Sequence, residues 1–170
     1  MKQRTNREMT RRVAVSGLLI AMMLVLGYVE SLIPAVSGVP GIKLGLSNGV
    51  LIFAVYMLDL PTAWVLMVLK VTLSGLLFGG FNTIMYALAG GVLSMIAMSL
   101  LSRVRGMHPV TVSMAGGVSH NVGQVLVAIA VLGTQQLYYY MAVLVVVGAA
   151  CGALTGICAD SVMKHLKHMR

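Results

Sequence analysis

Apolar residues along this chain come in long runs, neither alternating nor confined to one helical face, and short clusters of Pro, Gly, Asp and basic residues separate the runs. Runs of this length read as membrane spans rather than as amphipathic helices or strands. The breakers place six of them, at 13–33, 44–58, 62–78, 82–101, 110–132 and 137–162. Pro34 closes the first, Asp59 and Pro61 separate the second from the third, and Gly79-Gly80 turns the third into the fourth. The second is short against the roughly 20 residues a bilayer requires. It is expected to begin inside a loop or to be shielded by other helices, because irregular backbone at membrane depth survives only inside protein or beside a cavity. The first run is too long for a signal-peptide core, and no clear small-residue cleavage site follows it, so it reads as a retained span.

Composition agrees with the pattern. Of 170 residues, 59% are hydrophobic and 9% charged, against about 25% charged in a soluble domain, and the mean hydropathy is +0.95. The expected fold is therefore an all-α integral membrane protein, one transmembrane domain over residues 1–170 built as a six-helix bundle. Cys151 and Cys158 lie seven apart in an apolar run and read as small hydrophobes rather than a disulfide or a metal pair.

Charge sets the orientation. Ten of the twelve lysines and arginines sit before residue 13, at Arg103 and Arg105, or in the tail at Lys164, Lys167 and Arg170. With an even number of spans these regions share one side, which the positive-inside rule makes cytoplasmic, with both termini inside. The same rule explains the basic amino-terminal arm without nucleic acid.

The two remaining cations are the informative ones. Lys43 stands at the outer mouth of the second span, and Lys70 near the middle of the third, where a lysine costs about 2.5–3.5 kcal/mol on the insertion scale. The plain structural alternative pairs Lys70 with Glu30, the one acidic residue well inside a span apart from Asp160 near the end of the last. Other polar residues fall at compatible places: Asn48 at the start of the second span, Asn82 at the outer turn, and His120, Asn121 and Gln124 in the fifth, with His120 and Gln124 on one helical face. Together Glu30, Lys43, Asn48, Lys70, Asn82, His120, Asn121 and Gln124 are the expected substrate-binding set, lining a cavity in the middle and outer part of the bundle. Its cations favour a small, anionic ligand with apolar walls for the carbon skeleton. The Pro/Gly-rich segment 34–43 reads as a lid or as a plain connector.

No P-loop, metal-ligand spacing, carboxylate pair or serine-centred triad is present, so neither catalytic residues nor a cofactor or metal are expected. Small residues mark helix contacts: Ala87, Ala89, Gly90, Gly91 and Ser94 in the fourth span, and the repeat Gly148-xxx-Gly152-xxx-Gly156 in the sixth. Both sets read as packing within the bundle. Ala14, Gly17 and Ala21 in the first span read either so or as a face for a partner subunit.

The strings PGIKLGLSN (40–48), LLFGGFNT (76–83), YALAGGVLS (86–94) and SHNVGQVLVA (119–128) resemble the bacterial Gx transporter family, often labelled heptaprenyl diphosphate synthase component I. The resemblance covers residues 10–160. Members look like the S-components of energy-coupling factor (ECF) transporters, six-helix proteins that bind a small nutrient from the outer side. This implies coupling to a membrane scaffold and two cytoplasmic ATPases, docked through an Ala-xxx-Ala pattern for which this chain has Gly17-xxx-Ala21. The synthase label implies instead a non-catalytic membrane partner of a polyprenyl diphosphate synthase, and the aspartate-rich magnesium motifs of such enzymes are not in the chain. Relatives are also associated with flavin and quinone electron-transfer systems. A transport subunit is the favoured expectation, and the synthase accessory and the electron-transfer component are the alternatives.

Overall fold

A computed structural model describes residues 2–32, 45–133 and 137–168, with side chains described from residue 6 to residue 166 within those stretches. They form six helices: α1 (Lys2–Leu32), α2 (Asn48–Met57), α3 (Leu60–Phe78), α4 (Phe81–Leu101), α5 (Pro109–Leu132) and α6 (Leu137–His168). All but α2 are long and apolar enough to cross a membrane, and the chain is a multi-pass membrane protein with an all-α fold. Exposed Leu18, Met22 and Val25 on α1, and Val143, Val146, Leu154 and Ile157 on α6, then face lipid tails as apolar as themselves.

Two boundaries differ from the sequence expectation. Helix α1 begins at Lys2 rather than near residue 13, and α6 runs on to His168 rather than ending near 162. Both extensions carry lysine or arginine, which are strong helix formers, and neither contains a breaker. Hydropathy detects where the bilayer ends, whereas the helix continues past it.

The helix ends follow from local chemistry. The side chain of Asp59 caps α3 by accepting the Thr62 N–H at 2.8 Å, with Pro61 in the first turn. His108 caps α5 through the Val110 N–H at 3.3 Å, ahead of Pro109. Charged groups gather at one end of the bundle: Arg12 of α1 contacts Asp59 at 3.1 Å, and Asp160 contacts Lys164, one turn along α6, at 2.7 Å with His108 beside it. Arg103 and Arg105 lie in the α4–α5 connection at this same end, because α3 leaves the Asp59 turn and α4 returns. At the far end the rings of Tyr28 and Phe78 meet at 5.2 Å, joining α1 to α3.

The Thr62 hydrogen bonds first, and the Arg12 guanidinium after them, hold the Asp59 carboxyl below the usual carboxylate range. A lowered folded-state value means that this cap contributes fully above about pH 4, the unfolded value, and is lost as pH falls through the folded one. Asp59→Asn, which can still cap, is expected to flatten the acid limb of a thermal-midpoint-versus-pH curve with little change at neutral pH. A limb identical to that of the native chain would show that the cap contributes nothing.

Helix α2 is the hub: it touches all five other helices, while α1 packs on α2 and α3, and α6 on α2 and α5. Around it gathers the larger apolar core, including Met23, Leu51, Ile52, Leu66, Met67, Met95, Met98 and Val112. A smaller core of Tyr86, Val125, Ala128, Leu137 and Leu144 joins α4, α5 and α6. Between α5 and α6 the backbones themselves meet. A Cβ on Gly152 would stand 2.6 Å from the Ser113 carbonyl oxygen, one on Gly148 would stand 2.8 Å from that of Gly117, and one on Gly156 would stand 2.9 Å from Val110 Cα. The glycine repeat of α6 is thus used within the bundle, and Gly90 of α4 is pressed as closely against His120 of α5.

Candidate functional site

The length of α2 places the site. Ten residues at 1.5 Å each give about 15 Å, half of a hydrocarbon core about 30 Å thick, so α2 is too short to cross one and Asn48 at its amino end stands about 15 Å from its other end. Lys70, eleven positions along α3 from the shared Asp59 turn, reaches about the same level, roughly 16 Å up. The two meet: the Lys70 ammonium donates to Asn48 Oδ1 at 3.0 Å, and the residues are 5% and 4% exposed. The short second span that hydropathy detects is therefore a half-helix ending inside the protein, as its length requires.

Before α2 the backbone turns tightly, with the N–H groups of Asn48, Gly49 and Val50 donating to the carbonyls of Gly45, Leu46 and Ser47. The Leu46 N–H and the Ser47 hydroxyl point elsewhere, to the two carboxylate oxygens of Glu30 on α1, at 2.7 and 3.4 Å. Gly45 permits this turn, with φ at +86° and no side chain between Asn48 and the His120 ring. Gly45→Ala is expected to lose about 1–2 kcal/mol to the left-handed backbone, and more because its Cβ would sit 3.1 Å from Asn48 Nδ2 and 3.2 Å from His120. Gly80→Ala, also at positive φ but with open space around it, isolates the backbone share. Equal falls in thermal midpoint for the two variants would mean that Gly45 does not touch the cluster.

The cavity beside Lys70 is lined by Glu30 of α1, Ser47 before α2, Lys70 and Ser74 of α3, Thr83 of α4, and His120 and Gln124 of α5, with Val71, Gly75 and Ala87 completing it. Counted out to its open mouth it spans about 320 Å³ between atoms, and its inner room is that of about one water. His120 and Gln124 are hydrogen-bonded to each other across one helical turn, both fully buried. A site of this kind offers an ammonium, an amide, hydroxyls and an imidazole to a ligand, with one carboxylate against them. Among the described residues no group of His, Cys, Asp and Glu is arranged to hold a metal.

Of the residues expected from sequence, Glu30, Asn48, Lys70, His120 and Gln124 are brought together here. Asn121 is buried but turns to α6, donating to the Leu144 carbonyl at 2.6 Å, so it serves the α5–α6 seam. Asn82 is exposed, and its neighbour Thr83 lines the cavity instead. Lys43, with the whole of 33–44 and Gln135 and Gln136, lies outside the described residues. Ser47, Ser74 and Thr83 also line the cavity, beyond the residues expected from sequence. Ser74 was findable, one helical turn from Lys70 and so on its face, but serine and threonine are common enough in membrane helices that position alone does not single them out. Ala14, Gly17 and Ala21 lie on the exposed side of α1, where a Cβ on Gly17 would meet nothing within 4 Å.

No curated protein and no solved structure matches the chain. The family described as heptaprenyl diphosphate synthase component I matches residues 19–162, a stretch that takes in the cavity and part or all of every helix. The chain therefore belongs to the heptaprenyl diphosphate synthase component I family.

Proposed function

We propose that the chain is a substrate-binding transport subunit of the S-component kind, which takes a small anionic nutrient or precursor from the outer side of a bacterial cytoplasmic membrane. The observation that carries this reading is the buried Lys70–Asn48 pair, whose lysine lines a polar cavity assembled from five segments of the bundle. A lysine there is retained against a cost of about 2.5–3.5 kcal/mol, and such residues face a ligand path or a partner. The end that collects Arg12, Arg103, Arg105 and Lys164 is the cytoplasmic one by the positive-inside rule. On this reading the ligand reaches the cavity from the opposite, outer side. Because the inner room holds about one water, a nutrient enters only as the helices around Lys70 move apart.

Energy comes from partner subunits on this reading, a membrane scaffold with ATPases. The exposed small-residue face of α1, Ala14, Gly17 and Ala21, supports docking there, since close helix approach in a membrane needs small side chains. The family's description favours a second reading, a non-catalytic membrane partner of a prenyl diphosphate synthase.

Native mass spectrometry of the gently solubilised protein from its own host separates the two. The expected result is a stoichiometric small anion that disappears in His120→Ala, with or without a scaffold bearing ATPases. A co-purifying prenyl synthase and no small molecule would replace the transport reading with the accessory one.

A further inference from the structure

The cavity already holds an anion of its own. Glu30 reaches across from α1 to residues 16 and 17 positions further along the chain, where its carboxylate accepts the Leu46 N–H and the Ser47 hydroxyl. A backbone N–H, a hydroxyl and a nearby ammonium are the donors by which proteins hold a carboxylate or phosphate group. One further donor in the same turn is unmet: Asn48 Nδ2 is buried and has no hydrogen-bond partner among the described residues, although it stands beside Gly45 at the amino end of α2. A buried donor without an acceptor points to one that arrives with a ligand.

We infer that Glu30 is a resident stand-in for the ligand: an incoming carboxylate or phosphate group displaces it from Leu46 and Ser47 and settles between these donors, Asn48 Nδ2 and Lys70. This rests on the transport reading given above. Co-occupancy is opposed on two counts. The room is that of about one water, and a second anion beside Glu30 would leave a buried charge without compensation. Exchange of one anion for another keeps the charge count of the cavity constant. Release also frees the far end of α1 from α2, so that occupancy of the cavity is communicated to the helix bearing Ala14, Gly17 and Ala21.

The test uses the full chain in lipid nanodiscs, with inorganic phosphate and acetate as probes at constant ionic strength against chloride. Binding is read from the unfolding midpoint followed by fluorescence of the single tryptophan, Trp64. Glu30→Gln, which keeps the shape and removes the competing charge, is expected to bind phosphate or acetate about tenfold more tightly than the native chain, as removal of a competing closed state does. Adding Lys70→Met to it abolishes the gain. A response to phosphate alone assigns a phosphoryl group, and a response that includes acetate assigns a carboxylate. Glu30→Gln binding no more tightly than the native chain overturns the displacement. If Lys70→Met alone still abolishes binding in that case, the transport reading stands without it; if it does not, both fall. Should Glu30→Gln fail to fold, infrared spectra of the native chain carrying ¹³C-glutamate give the same answer, since only Glu8 and Glu30 report. Phosphate or acetate is expected to shift the Glu30 carboxylate band, assigned with Glu8→Gln, and an unmoved band overturns the inference.

Discussion

Replacing Gly117 with alanine is expected to be among the most damaging single-methyl changes in this protein. The added Cβ would overlap the carbonyl oxygen of Gly148 on α6, and Gly148 and Gly152 are pressed in return against the carbonyls of Gly117 and Ser113. A clash with a flexible side chain is relieved by a rotamer change. A clash with a carbonyl moves a whole helix, and α5–α6 is the most extensive seam in the bundle. The loss should reach or exceed the upper end of the usual overpacking range, about 3 kcal/mol. Gly17→Ala is the matched control: nothing lies within 4 Å of the added methyl, and the helix-propensity gain of up to about 1 kcal/mol is unopposed. Thermal unfolding in detergent should separate the pair by many degrees. Comparable midpoints for the two variants would mean that α5 and α6 are further apart than described.

Lys70→Met is expected to weaken ligand binding by about 30-fold or more while leaving stability nearly unchanged, a combination that a purely structural lysine would not give. Two stability effects oppose one another. Methionine removes a charge that costs about 2.5–3.5 kcal/mol at the centre of a span. It also strips Asn48 Oδ1 of the donor at 3.0 Å, and a buried acceptor left unmet costs about 1–3 kcal/mol. The difference is small, whereas an anion that loses a buried charge-assisted partner loses about 2 kcal/mol or more, roughly 30-fold in affinity. Binding is read by isothermal titration with the metabolite identified by mass spectrometry, and stability by the unfolding midpoint. A large fall in midpoint with unchanged affinity would make Lys70 a strut between α2 and α3.

Hydropathy alone was enough to expect an all-helical membrane bundle and its turns, because the bilayer imposes run length and Asp59-Leu60-Pro61 or Gly79-Gly80 impose the breaks. It also exposed the anomaly of the second span, whose shortness turned out to be the key to the site's depth. Where sequence reasoning fell short was in rotation about each helix axis. Asn82 and Thr83 are neighbours about 100° apart, and in a helix apolar on every side nothing in the pattern says which of them faces inward. Asn121 and Gln124 present the same problem on α5: both are buried, but one looks into the α6 seam and the other into the cavity. Pairing was equally hidden. Lys70 and Glu30 are the obvious complementary charges, and charge alone does not announce the hydrogen bonds from Lys70 to Asn48 and from Leu46 and Ser47 to Glu30. A backbone N–H, offered by the irregular turn before a half-helix, leaves no mark in a sequence.

The glycine contacts divide the bundle mechanically. Helices α4, α5 and α6 lie backbone against backbone, at separations that no side-chain rearrangement can enlarge gradually, whereas α1 rests on α2 and α3 through Leu19, Met23 and the Tyr28–Phe78 rings. The carboxy-terminal half is therefore a stiff frame, α2 is held to it where Gly49 meets Thr155 of α6, and α1 is the compliant element. The cavity lies on the line between them, with His120 and Gln124 fixed to the frame and Glu30 carried by α1. Any work done on this protein by a ligand or a neighbouring subunit would be stored as displacement of α1, and the imidazole side of the cavity would be the fixed reference against which that displacement is felt.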